Sequence, residues 1–164
     1  LDDALDVLTR LLNGDDVAHE GATYSARGVR FRPLPPRVPP IWIGGNSKPA
    51  VRRAVSRFQG WAPFNTFGYA AASRTAEIST LDELEAAIGW AKSYAAEIGR
   101  TEPLDICFSA GTMLDDNHSL DERHAAIERM AAAGVTWLTI VPGGETRAEL
   151  IERARAFAKE FIRG

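Results

Sequence analysis

The stretch Pro39-Pro40-Ile41-Trp42-Ile43-Gly44-Gly45-Asn46-Ser47-Lys48-Pro49 decides how the chain is read. Residues 41–43 form a short apolar run of β-branched and aromatic side chains, the composition of a strand buried on both faces. Two glycines stop it. Asn46 or Ser47 then offers a side-chain cap, and Pro49 stands in the first turn of a helix, where a missing N–H costs nothing. Ala50, Val51, Ala54 and Val55 follow at helical spacing, with Arg52, Arg53 and Arg57 among them. A strand, a glycine turn and a helix start leave backbone N–H groups unpaired at the positive end of a helix dipole, which suits a phosphate. The same local pattern also fits two glycines that only make a turn.

Outward from this junction the rhythm is regular. Strands are predicted at 41–45, 60–64, 104–110 and 135–141. Helices follow from about 48 to 57, from Thr80 or Asp82 to Gly99, from Ser119 to Gly134, and through Leu150, Ile151, Ala154, Phe157 and Phe161. Four strand–helix units in succession imply an α/β fold with parallel strands. Periodicity alone leaves open whether they belong to a barrel or to a small doubly wound sheet. Upstream, Leu1, Leu5, Leu8, Leu11 and Leu12 share one helix face, residues 17–31 read as a short hairpin, and Pro33, Pro35, Pro36, Pro39 and Pro40 make a stiff connector. The expected division is therefore 1–40, a lead-in of helix, hairpin and proline-rich connector, and 41–164, the β/α units.

The quoted stretch resembles the bacterial luciferase-like monooxygenase family. Members carry a Pro-Pro-Ile-Trp-Ile-Gly-Gly strand, a small polar residue, an Ala/Arg-rich helix and then Gly-Asp-Gly-Trp. Here the last element reads Phe58-Gln59-Gly60-Trp61, so the first Gly and the Asp are absent while Gly60 and Trp61 match. The lead-in, with Asn13-Gly14-Asp15, Glu20-Gly21, Tyr24 and Gly28-Val29-Arg30-Phe31, is also similar to the family's. The resemblance implies the C-terminal half of a (β/α)8 TIM barrel, with the four strands as the fifth to eighth. It implies a reduced flavin (FMN) or deazaflavin (coenzyme F-420) cofactor acting on a small-molecule substrate. Its phosphate would be held by the main chain of Gly44, Gly45, Asn46 and Ser47. A full barrel typically needs about 250 residues, so a chain of 164 residues cannot close one alone. Beginning at Leu1 without methionine, it reads as a fragment that is inactive by itself. The missing N-terminal half or a second copy is its expected partner. A non-catalytic, self-associating half barrel is the alternative.

With 45% hydrophobic and 25% charged residues, the composition is that of a globular protein. A net charge of -3 and dispersed arginines give no reason to expect nucleic acid. No apolar run reaches membrane-spanning length and no signal peptide opens the chain, so a cytoplasmic setting is expected. Cys107, the single cysteine, lies in an apolar run and is predicted to be a buried thiol. Gly143-Gly144-Glu145-Thr146 is a rival anion turn beside the last strand; Glu145 reads there as a helix cap. Asp115, Asp116 and His118 share a loop that reads as solvated, and His118 and His124 lack metal-ligand spacing. Trp61 reads as core packing. No nucleophile motif of the Gly-x-Ser-x-Gly type occurs and no catalytic residue is assigned.

Overall fold

The computed structural model describes residues 1–162, which divide into two compact units, one of residues 1–40 and one from Ile41 onward. In the first, α1 (Asp2–Leu12) is followed by an antiparallel hairpin of β1 (Val17–Glu20) and β2 (Ser25–Val29), whose register shifts between Val17 and His19. Leu5 and Val17 are its buried apolar side chains. Asp2 and Asp3 occupy the first turn of α1 and Arg10 the last, both favourable to the helix dipole. His19 lies 3.8 Å from Asp3 and tilts against Tyr24.

The second unit is a four-stranded parallel sheet in the order β3 (Trp42–Gly44), β4 (Gly60–Ala62), β5 (Asp105–Ser109), β6 (Trp137–Thr139). Between them run α2 (Lys48–Arg57), α3 (Ala70–Ser73), α4 (Leu81–Glu97), a 3-10 turn (Gly111–Leu114) and α5 (Leu120–Ala133), and α6 (Arg147–Phe161) follows the last strand. The four strands pair in chain order, as the β/α rhythm implied. They are shorter than predicted: the residues flanking each core leave the ladder early, although Phe64 still bridges Ser109 beyond β4.

Helix α2 packs on α4 and α4 on α5, so these three helices form one layer on one face of the sheet. Such a one-sided layer is consistent with a fragment of a β/α barrel. Burial alternates accordingly. Ile43, Trp61, Ile106 and Phe108 point at the helices and are buried, while Trp42, Ala62, Cys107 and Trp137 lie half-buried or exposed on the other face. Cys107 is therefore not the buried thiol the apolar run suggested: in a five-residue strand it occupies the uncovered parity. Leu84, Ile88 and Met130 complete the helix-side core, each burial worth about 1.5–3 kcal/mol.

The helix ends are where local sequence dictated. Thr80, Ser119 and Thr146 each accept the amide three residues on, and Glu83, Glu122 and Glu149 reach back to close a capping box. Thr146, not Glu145, thus caps α6; Glu149 takes the Glu145 and Thr146 amides at 2.8 and 3.2 Å. Gly134 ends α5 at φ 118°, a left-handed conformation that favours glycine. At the end of α2, Arg100 donates to the carbonyls of Val55 and Phe58 at 2.6 and 2.9 Å, tying that helix to the approach to β5. Helix α6 contributes no buried side chain.

Candidate functional site

The C-terminal ends of the four strands carry the turns in which β/α folds place their chemistry. Here, two buried asparagines fasten neighbouring strand ends to each other. Asn46, after β3, donates from Nδ2 to the Phe64 carbonyl at 2.8 Å and the Ala76 carbonyl at 3.3 Å. Its Oδ1 accepts the Phe64 amide at 3.1 Å. Asn65, after β4, donates to the Ala110 carbonyl at 3.2 Å while its own amide bonds the Ser109 carbonyl at 2.9 Å. The Ala110 amide in turn reaches Thr139 of β6 at 3.3 Å. Diverging strand ends leave backbone groups without ladder partners, and the buried amide side chains satisfy them.

Within this frame, Gly44 ends β3 exposed to solvent, and a Cβ there would meet nothing closer than the Ala62 carbonyl oxygen at 4.0 Å. Gly45 has φ 113°, and a Cβ built on it would press on the Ala50 methyl at 3.2 Å. A side chain at Gly45 is disfavoured by both conformation and space. Its carbonyl accepts the indole N–H of buried Trp61 at 2.7 Å. Ser47 is the N-cap of α2 and its hydroxyl accepts the Ala50 amide at 3.4 Å, with Pro49 in the first turn.

The four residues of the predicted phosphate turn are thus brought together, but their amides are not equivalent. The Gly45 amide donates to Ala62 at 3.3 Å and the Asn46 amide to the Thr75 hydroxyl at 3.1 Å. Among the described residues, the Ser47 and Lys48 amides have no hydrogen-bond partner. The Lys48 ammonium lies 5.5 Å from the Trp90 ring centroid, beside Arg52, so its charge is drawn toward α4.

Sequence reasoning missed the supporting shell. Trp61 is core packing, as its position predicts, and its indole N–H also fixes the Gly45 carbonyl. Its place after Gly60 in the motif was the available signal. Thr75 and Ala76 lie in the long 65–80 connection, where nothing in the sequence marked them. That connection is itself well anchored. Buried Thr66, exposed Glu77 and half-buried Ser79 bond one another, and hydrogen bonds from the Ser79 and then the Thr66 hydroxyl hold the Glu77 carboxyl below the usual carboxylate range. Phe67, at φ 50°, lays its half-exposed ring on Gly111 at the end of β5.

The other candidates are placed elsewhere. Asp115 accepts from Asn117 and contacts His118 Nδ1 at 3.1 Å, a local loop closure. His124 pairs with Glu160 at 2.8 Å. Among the described residues no cluster of His, Cys, Asp or Glu has the makings of a metal site, and no helix is long and apolar enough to cross a membrane. In the rival turn Gly143-Gly144-Glu145-Thr146, Glu149 accepts the Glu145 and Thr146 amides.

Fold and site together define an α/β protein with a four-stranded parallel sheet, a helix layer and turns at the C-terminal strand ends. The chain belongs to the luciferase-like monooxygenase family, whose family model matches residues 1–125. It is also similar to uncharacterized proteins of Mycobacterium bovis and of two strains of Mycobacterium tuberculosis, CDC 1551 and H37Rv. Each is 27% identical over 106 residues, which is 65% of this chain and 32% of the relative. The matched segment therefore spans about a third of the length of these curated relatives.

Proposed function

We propose that this chain is the phosphate-holding part of a flavin- or deazaflavin-dependent oxidoreductase, with β3 to β6 as strands five to eight of a (β/α)8 barrel. The observation that carries the reading is the pair of unpartnered amides at Ser47 and Lys48. They open the ten-residue helix α2 directly after a glycine pair, while the Gly45 and Asn46 amides beside them are already bonded. A phosphate fits this turn: two N–H donors and the helix dipole favour an anion, and Gly44 and Gly45 present no side chain to obstruct it. Asn46 and Trp61 hold the turn without contacting the ligand.

When bound, FMN or coenzyme F-420 supplies the hydride or oxygen chemistry performed on a small-molecule substrate. The residues of this chain bind the phosphate, fix its distance from the sheet and form part of the cavity wall. No side chain here is assigned a proton-transfer step. Barrel completion requires further strands beside β3 and β6, from an N-terminal half or a second copy. The test is titration of the assembled barrel with FMN and with F-420, comparing wild type and Gly45→Val, with circular dichroism establishing that both are folded. Charge-assisted hydrogen bonds contribute about 1.5–3 kcal/mol each, so loss of one weakens affinity about tenfold or more. Equal affinity in a folded Gly45→Val protein would mean that the glycine pair only shapes the turn.

One observation favours association in either reading: on edge strand β6 and just beyond it, Trp137 is 57% and Val141 76% exposed. A non-catalytic, self-associating half barrel would bury them against its own copy. Sedimentation of the chain alone separates the cases, because a monomer at micromolar concentration rules out self-association.

A further inference from the structure

Among the described residues, the non-glycine side chains at positive φ are Phe67 and Arg74, both at 50°. Arg74 ends α3, where a left-handed residue is an ordinary helix termination. Phe67 ends no helix. It stands in the turn after β4, and a bulky side chain in that conformation is strained. Such strain persists only where the surroundings enforce it, and here they do. Asn65, 4% exposed, accepts the Phe67 amide on Oδ1 at 2.8 Å while its Nδ2 donates to the Ala110 carbonyl at 3.2 Å. Gly68 is also left-handed, at φ 78°, and its amide donates to the Ser79 hydroxyl at 3.3 Å. Gly111 opens the turn after β5, and any Cβ there would run into the Phe67 ring.

What this bracing delivers is not burial. Phe67 remains 51% exposed. The ring meets Gly111 through its Cζ end, and among the described residues no other ring and no cation stacks on it. A strained aromatic side chain fixed half in water at the strand ends, where β/α folds place their chemistry, has the character of a binding surface rather than a core contact. Its distance from the phosphate turn is also informative. The ring lies over the end of β5, two strands from β3, which is about 10 Å at normal strand spacing. An extended ribityl chain spans such a gap. The two ends are braced by adjacent residues, because Asn46 bonds Phe64 in both directions and Asn65 holds the Phe67 amide.

We propose that the Phe67 ring is the platform on which the flavin or deazaflavin ring system packs in the assembled barrel. This rests on the reading of the chain as part of a flavin- or deazaflavin-dependent enzyme, and it adds the residue that positions the cofactor's ring rather than its phosphate. A planar conjugated ring gains both apolar contact and π overlap from an aromatic side chain. A platform already fixed by Asn65 and Gly111 spares the ordering that binding would otherwise require.

The test is fluorescence titration of the assembled barrel with FMN and riboflavin, and with F-420 and its phosphate-free deazaflavin core, for wild type, Phe67→Ala and Phe67→Tyr. Phe67→Ala is expected to weaken both members of the pair that binds by the same factor, about fivefold or more, because the phosphate contact is untouched. Phe67→Tyr is expected to keep wild-type affinity and to quench the emission of the bound compound, since a phenol in contact with the excited ring donates an electron to it. A phenylalanine that only packed the loop would give no such signal. Circular dichroism checks both folds; should Phe67→Ala unfold, the emission of Phe67→Tyr decides. A folded Phe67→Ala barrel that binds both compounds like wild type, or a Phe67→Tyr barrel whose bound cofactor emits like wild type, would overturn the proposal. If wild type then still prefers FMN to riboflavin, or F-420 to its core, the phosphate reading stands. Equal wild-type affinity with and without the phosphate, weakened by Phe67→Ala, would refute the phosphate reading and support the platform. A wild-type barrel that takes up none of the four compounds would refute both.

Discussion

Replacing Asn46 with alanine removes three hydrogen bonds at once: two to Phe64, one in each direction, and one to the Ala76 carbonyl. Ala76 is exposed, so its carbonyl can turn to water, but Phe64 is half-buried between the ends of β3 and β5. Each polar group stranded there costs about 1–3 kcal/mol, so the two Phe64 groups together amount to about 2–4 kcal/mol after partial hydration. With a urea dependence of about 1–3 kcal/mol per M, the unfolding midpoint should fall by about 1–2 M. Asn46→Asp sharpens the test. Its carboxylate still accepts the Phe64 amide but faces two carbonyl oxygens where Asn46 offered donors. At neutral pH it should be no more stable than the alanine variant. Burial and carbonyl oxygens raise its folded pKa above the unfolded value. Relative to wild type it should therefore regain stability as the pH falls and lose it as the pH rises through that raised value. Equilibrium urea unfolding followed by far-ultraviolet circular dichroism gives all three midpoints. An Asn46→Ala midpoint equal to wild type would refute the argument that this side chain fastens β3 to β4.

Other perturbations test separate parts of the account. Glu77 is held below the usual carboxylate range by the Ser79 and Thr66 hydroxyls, so its contribution to stability is present above the unfolded value and lost as the pH falls through the lowered one. Glu77→Gln should accordingly flatten the acid limb of the stability–pH curve, measured by urea midpoints. The Cys107 thiol is pushed up by burial and then by Asp105; at neutral pH its alkylation by iodoacetamide should be slower than that of an unfolded control and accelerate as pH rises. Gly60→Ala places a methyl against the Trp42 ring, which itself lies 5.6 Å from Trp137. Displacing that ring should change the near-ultraviolet circular dichroism, and an unaltered spectrum would contradict the packing. Thr146→Ala removes the cap of α6 and should cost about 0.5–2 kcal/mol, read as loss of α6 amide-exchange protection.

Much of this molecule was legible because local and global signals agreed. Thr80 and Ser119 each stand three residues before a glutamate, and each forms a capping box as its position predicts; Thr146 carries the same signal, which the reading of Glu145 as the cap passed over. The apolar run at residues 41–43 and the glycines after it gave both β3 and its turn. Three features were hidden for different reasons. Cys107 looked buried because composition marks a strand as apolar without saying which parity is covered; only the one-sided helix layer decides that. Thr75 and Ala76 reach the turn across about thirty residues, 29 and 30 positions from Asn46, a separation at which no local pattern operates. The division of labour among the four turn residues was likewise unreadable. Whether an amide is free depends on partners such as Ala62 and Thr75, brought there by the sheet and by the loop after β4.

The central claim is that the Ser47 and Lys48 amides receive the cofactor phosphate. Amide-resolved NMR of the assembled barrel with this chain isotope-labelled, titrated in parallel with FMN and riboflavin, tests it most directly. The account predicts that FMN shifts the Ser47 and Lys48 resonances first and most, while riboflavin, which lacks the phosphate, leaves them in place. Shifts that concentrate at Gly143, Gly144 and Thr146 instead, or that are the same for both compounds, would contradict it.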